Sequence, residues 1–232
     1  MPRNSGLLLD IRAREEVTWT GRFRPPLTAA AVVPRAVQQP LPVWVGVGGS
    51  LESADRAGRL GLPMVLGYIG GGLGHLRPLV DHYRAAGERA GRSDALKVAI
   101  STHFHAGADP AKARAVYLYY HEYLRPKRPG GRGFVVGRDA FEAGTARHGA
   151  IMIGSSGEIT DKLLDAAKAL GLDRIFAQVD WGGLPSGLVE HRPLRHRDRP
   201  RPPFRLKSRG PFGQRSYFTE RTVGFLSHIH PR

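Results

Sequence analysis

The sequence predicts an α/β protein built on parallel strands, and three observations carry that reading. Short apolar runs recur at 43–47, 63–69, 97–104, 150–153 and 173–179, and every gap between them holds a segment of helical periodicity. Such alternation implies parallel pairing through right-handed crossovers. The first two runs, VWVGV and PMVLGYI, are apolar nearly throughout, as strands covered on both faces are. Glycine clusters close several of the runs: Gly48-Gly49-Ser50, Gly70-Gly71-Gly72 and Gly154-Ser155-Ser156.

Taken in order, Leu7-Leu8-Leu9 is an apolar patch broken at Asp10, too short for a secretory signal. Segment 17–27 (VTWTGRFRPPL) reads as an extended arm, and Pro34, Pro40 and Pro42 exclude a central helix or strand from 34–42. The strand 43–47 empties into Gly48-Gly49-Ser50, and a helix over 51–60 follows, with Ala54, Ala57 and Leu60 at helical spacing and Gly61 as its stop. A strand over 63–69 precedes an amphipathic helix over 76–90, whose Leu79, Val80, Tyr83 and Ala86 share one side. The run 97–104 alternates as a third strand, and Asp109-Pro110 opens a helix over 111–124 with Asp as N-cap and Pro in the first turn. Segment 125–147 is glycine-rich, basic and irregular. The strand 150–153, a helix over 158–170 stopped by Gly171, and the strand 173–179 complete the pattern. The expected organisation is an arm and linker at 1–42, an α/β body at 43–190 and a basic Arg/Pro-rich tail at 191–232, expected to be disordered because its periodicity vanishes.

An apolar fraction of 41% suffices for a core. The chain has no cysteine, which excludes disulfides, thiolate metal sites and a thiol nucleophile. No apolar run approaches the ~20 residues of a membrane helix, and a soluble cytoplasmic protein without a membrane partner is expected. In the tail, eleven Arg and Lys side chains face only Asp198 and Glu220, so nine of the fifteen net positive charges lie there. Three readings of the tail stand: a salt-sensitive anionic-surface or nucleic-acid patch, inert sequence, or an out-of-frame product, the last preferred.

The most informative chemistry is at Gly48-Gly49-Ser50. Glycines let main-chain N–H groups approach a phosphate, and a helix N-terminus adds donors and a favourable dipole. Ser50 can donate its hydroxyl, and Ser53 lies one turn on. A tight turn with an N-cap is the alternative, and local pattern does not decide between them.

The stretch PLPVWVGVGGSLESADRAGRLGLPMVLGYIGG (40–71), then LVDHYRAAGERAG, STHFHAGADPAKARA and IMIGSSGEITDKLLDAAKALGLDRIFAQVDWGGLP, resembles the luciferase-like flavin-dependent monooxygenases, the bacterial luciferase superfamily. The resemblance spans roughly residues 7–190. It implies a partial (β/α)8 TIM barrel, strands five to eight with their helices, and a site at the strands' C-terminal ends. By position it places Gly48, Gly49, Ser50 and Ser53 around the phosphate of FMN, and Val65, Gly67 and Tyr68 along the isoalloxazine ring. It makes 125–147 the loop that closes over the reacting flavin. The implied cofactor is reduced FMN, with deazaflavin F420 as the alternative, and the implied substrates are oxygen and a small organic molecule. A flavin reductase, and a complementing N-terminal half or a homo-oligomer, are the implied partners.

Two departures follow. The family carries four β/α units before this point, where only a short segment precedes residue 17, and its final amphipathic helix gives way to the Arg/Pro tract after 190. A half-barrel leaves strand edges unpaired, so unaided catalysis is not expected. A non-catalytic flavin-binding fragment is the remaining reading.

Among single residues, His103 and His105 share one strand face, and packing or pocket lining is preferred over a metal site. Gly154-Ser155-Ser156 reads as a helix cap with Glu158 near the third position, rather than a second anion cradle. Tyr117, Tyr119, Tyr120 and Tyr123 on one helix read as core or dimer contact, and Asp180 and Trp181 as structural residues at the barrel mouth.

Overall fold

A computed structural model describes residues 5–22, 24–181 and 183–185. The chain divides between Trp44 and Val45 into two compact units. The first holds helix α1 (Ser5–Ala13) and an antiparallel hairpin of β1 (Glu16–Trp19) and β2 (Leu27–Ala31). The arm expected at 17–27 is thus a hairpin whose turn spans the Arg-Pro-Pro segment. Pro25 and Pro26 lie just before β2, where no ladder N–H is needed from them. The Leu7 patch lies in α1, with Leu7 buried.

The second unit is a parallel α/β layer. Strands β3 (Val45–Val47), β4 (Met64–Gly67), β5 (Val98–Gly107) and β7 (Arg174–Gln178) pair side by side, all parallel. The register aligns Gly46 with Val65, Val65 with Ala99, and Ala99 with Arg174. The first part of β5 pairs with β7, and its last four residues, Phe104–Gly107, pair with β6 (Met152–Ser155). Its ten residues exceed the expected strand because two different partners satisfy the two halves of its ladder.

Helices α2 (Leu51–Arg59), α3 (Arg77–Arg89) and α7 (Ser156–Leu170) cover one face of this sheet. Period-two alternation sends Val47, Met64, Leu66, Tyr68, Val98 and Ile100 into that layer. There α3 lies on α2 so closely that a Cβ on Gly58 would strike the main-chain oxygen of Tyr83, which restricts position 58 to glycine. Buried Tyr83 donates its hydroxyl to Leu62 O at 3.0 Å and accepts the Lys97 N–H at 3.0 Å, so it joins the starts of β4 and β5. Burial pushes its phenol up to about 12.

The other face carries a second core under α4 (Pro110–Arg114), α5 (Tyr117–Leu124) and α6 (Arg138–Thr145), centred on Tyr120, Phe141, Ile151, Ile153 and Trp181. Two expectations are corrected. The helix expected over 111–124 breaks at Ala115-Val116, where Val116 turns inward to the second core. The irregular 125–147 segment contains α6, whose Phe141 and Thr145 are buried one turn apart. The basic tail 191–232, expected to be disordered, lies outside the described residues. Among the described residues no helix is long and apolar enough to cross a membrane.

Candidate functional site

The C-terminal ends of the parallel strands gather the features of interest. After β3 come exposed Gly48 and Gly49, the latter at φ 128°, which disfavours any side chain there. Ser50 is the N-cap of α2: its hydroxyl oxygen accepts the Ser53 N–H at 3.3 Å. This leaves the Ser50 hydroxyl proton available, and the first-turn N–H groups point the same way. A Cβ built at Gly46, Gly48 or Gly49 meets nothing within 4 Å, so the turn opens onto free space. Ser53 accepts a hydrogen bond from Arg56 Nη2 at 3.4 Å, which brings a guanidinium one turn from the cap. Arg56 was not singled out in the sequence, although its i,i+3 spacing from Ser53 was the available signal. Glu52, in the same first turn, works against an anion.

The structure brings Gly48, Gly49, Ser50 and Ser53 together and sets Val65 and Gly67 on the open face of the adjacent strand. Tyr68 is different. Alternation turns its ring to the helix side, where it is buried and donates to Gly149 O at 3.3 Å. Burial raises its phenol pKa.

Beyond β4 lies a cavity of about 970 Å³, walled by Ile69, Leu124, Phe134, Val136 and Ile151 among others. Its polar lining includes His103, whose Nδ1 shares a 3.0 Å hydrogen bond with the hydroxyl of buried Tyr120. Burial drives the His103 pKa down to about 4 and the Tyr120 pKa up, so both are neutral at pH 7. His105, on the same strand face, packs edge-on against Trp181 at 6.4 Å. Among the described residues no group of three or more His, Asp or Glu could hold a metal.

The His103 shift makes a pH prediction. Its folded pKa, about 4, lies below the ordinary 6.5, so between those values the unfolded chain binds the extra proton. Stability is fully present above 6.5 and is lost as pH falls toward 4. Lowering the pH from 7 to 5 should cost roughly 2 kcal/mol through this residue. Denaturant melts of the native chain and His103→Asn at both pH values check it: the native chain should lose about that much more than the variant.

At the far end of β6, Ser155 caps α7 in a capping box: Ser155 Oγ accepts the Glu158 N–H, and the Glu158 carboxylate accepts the Ser155 N–H at 2.9 Å. This is the cap expected for Gly154-Ser155-Ser156. Burial pushes the Glu158 carboxyl up, but the Ser155 N–H and the Arg114 guanidinium at 2.8 Å hold it below the ordinary range.

A family model described as Luciferase-like monooxygenase matches residues 6–174. Among solved structures, the monooxygenase RslO1 from Streptomyces bottropensis is similar at 22% identity and a TM-score of 0.60, covering 78% of this chain and 53% of that one. An F420-dependent secondary alcohol dehydrogenase is similar at 14% identity and a TM-score of 0.55, covering 74% and 53%. The coenzyme F420 dependent tetrahydromethanopterin reductase from Methanopyrus kandleri is similar at 17% identity and a TM-score of 0.52, covering 72% and 53%. The chain therefore spans about half the length of these structures. No curated protein matches it. With the family model covering most of the chain, and its parallel α/β sheet in agreement, the chain belongs to the luciferase-like monooxygenase family.

Proposed function

We propose that this chain is the second half of a (β/α)8 barrel, with β3, β4, β5 and β7 as strands five to eight. In that barrel it holds the phosphate of a flavin at Gly48, Gly49, Ser50 and Ser53. One observation carries the reading: a glycine turn at a parallel strand's C-terminal end runs straight into the serine-capped N-terminus of α2 and faces open space. The residues fit the group, because hydroxyl and N–H donors converge where a phosphate needs them. Arg56 adds positive charge through Ser53.

The cofactor is reduced FMN, which supplies the electrons for activating oxygen when bound. Everything else falls to the chain's own residues. Val65 and Gly67 offer a low, flat strand surface beside the cradle. The segment from α5 through α6 walls the adjoining cavity and keeps water from an organic substrate. His103, neutral and tied to Tyr120, lines that cavity without placing a charge in it. A complementing N-terminal half or a homo-oligomer, and a flavin reductase that supplies the reduced cofactor, are the partners of this reading.

A second reading has support of its own. Two of the similar structures are F420-dependent, and that deazaflavin also carries a phosphate, so hydride transfer without oxygen is the alternative chemistry. A flavin-binding fragment without catalysis is the third.

Oxygen uptake separates them. With reduced FMN, the chain alone should consume oxygen no faster than free reduced flavin, and adding a barrel-completing half should produce substrate-dependent uptake. Restoration of anaerobic F420 reduction instead would favour the deazaflavin reading. Neither activity, with FMN still bound, would leave the non-catalytic one.

A further inference from the structure

The apolar cavity has a cationic neighbour. Val135 lines both it and a smaller concavity of about 380 Å³ bordered by His121, Arg125, Lys127 and Arg128. Segment 125–132 (RPKRPGGR) carries four basic side chains and no acidic one. Glu122 is the acidic group close by, and its carboxylate takes Arg125 at 2.6 Å while its main-chain oxygen accepts from Lys127. One carboxylate neutralises at most one of these charges, so the small concavity stays positive.

The segment between the two spaces is held in place. Phe134 N–H donates to Leu124 O at 2.7 Å, the Tyr117 hydroxyl donates to Val136 O at 3.1 Å, and His121 Nδ1 lies 2.9 Å from the same oxygen. Yet Phe134 and Val135, anchored on both sides, are 66% and 75% exposed. Two adjacent large apolar side chains anchored in that exposed state form a surface that a ligand can cover. The larger cavity offers a ligand little free polarity: His103 and Tyr120 satisfy each other, and the Arg147 guanidinium, which lines it beside His148, is held by Asp161 and Asp165. The smaller one supplies charge that suits carboxylate or phosphate.

We infer that the two concavities form one site for an amphipathic anion, with an apolar body against Phe134, Val136 and Ile151 and an anionic end on Arg125, Lys127 and Arg128. That this molecule is the substrate rests on the flavoenzyme reading; that it binds does not.

The test uses pyrenebutyrate and pyrenebutanol, which share one apolar body and differ in charge, followed by fluorescence anisotropy on the full chain. The butyrate should bind saturably at a single site, roughly tenfold tighter than the alcohol at low salt, with the gap closing as salt rises. Replacing all three cations (Arg125→Gln, Lys127→Gln, Arg128→Gln) should erase the gap and keep alcohol binding. Ala143→Trp, on the exposed, cavity-lining side of α6, should weaken both. Circular dichroism melts of each variant separate lost binding from lost folding. Equal binding of the two probes, or a preference that survives in the triple variant, overturns the inference. Displacement by decanoate or by decyl phosphate supports it and tells which anion is preferred; displacement by neither overturns it. FMN titrated into the same samples reports on the cradle separately, so either site can fail while the other stands.

Discussion

Trp181→Ala should destabilise the second unit by about 4 kcal/mol, the largest single effect expected in this chain. Trp181 follows β7 and is fully buried in the second core. Its ring meets Tyr120 edge-on at 5.3 Å and lies 6.5 Å from Tyr123, and its Nε1–H donates to Phe104 O at 3.3 Å. Removing it opens a cavity bordered by aromatic rings that cannot close in, and it leaves a carbonyl of β5 without that donor. Urea titration followed by far-UV circular dichroism measures the loss. Trp181→Phe should recover more than half of it, since the ring contacts return without the hydrogen bond. A loss under 1 kcal/mol for Trp181→Ala would mean that the second core does not support the sheet.

Lys162→Met should cost about 3 kcal/mol for a different reason. The Lys162 ammonium, 4% exposed, donates to Gly144 O, Thr145 O and Ile151 O at 3.2, 3.0 and 2.7 Å. Those oxygens end α6 and begin the approach to β6, so one side chain of α7 satisfies the helix end and fixes the wall of the apolar cavity. Methionine matches the length but withdraws the donor from all three carbonyls, of which Gly144 O keeps the Ile151 N–H at 2.9 Å. Burial drives the Lys162 pKa down to about 8, Glu158 pulling it up and Arg114 pushing it down, from an ordinary 10.5. Between those values the unfolded chain holds the extra proton, so the native chain should gain stability relative to the variant as pH rises through that window. Paired denaturant melts at pH 7 and pH 10 give both quantities.

The sheet was legible because its signals are local. Glycine and proline bound the apolar runs, and Ala54, Leu79 and Tyr83 sit at helical spacing on the sides that became buried. The cap at Ser155 was legible for the same reason, since its partner Glu158 lies three residues away. What escaped depends on contacts between distant segments. The helix α6 was hidden in a glycine-rich stretch, and its end depends on Lys162 from the far side of β6. The break at Ala115-Val116 follows from Val116 reaching a core assembled partly by Trp181, some sixty-five residues on. In the candidate site, Ser50 and Ser53 stood out because a cap and its first turn are adjacent. Strand alternation alone separates Tyr68 from Val65 and Gly67, but which of the two faces of β4 the helices α2, α3 and α7 cover is not fixed by pattern. The apolar cavity was invisible, because its walls come from four separated segments.

The most direct test of a flavin-phosphate cradle at Gly48–Ser53 compares FMN with riboflavin, which lacks only the phosphate, by fluorescence titration of the native chain and Ser50→Ala. FMN should bind roughly tenfold or more tightly than riboflavin, and the variant should shrink that difference while leaving riboflavin binding unchanged. Equal binding of FMN and riboflavin to a folded native chain would contradict the cradle, and with it the proposed flavin site.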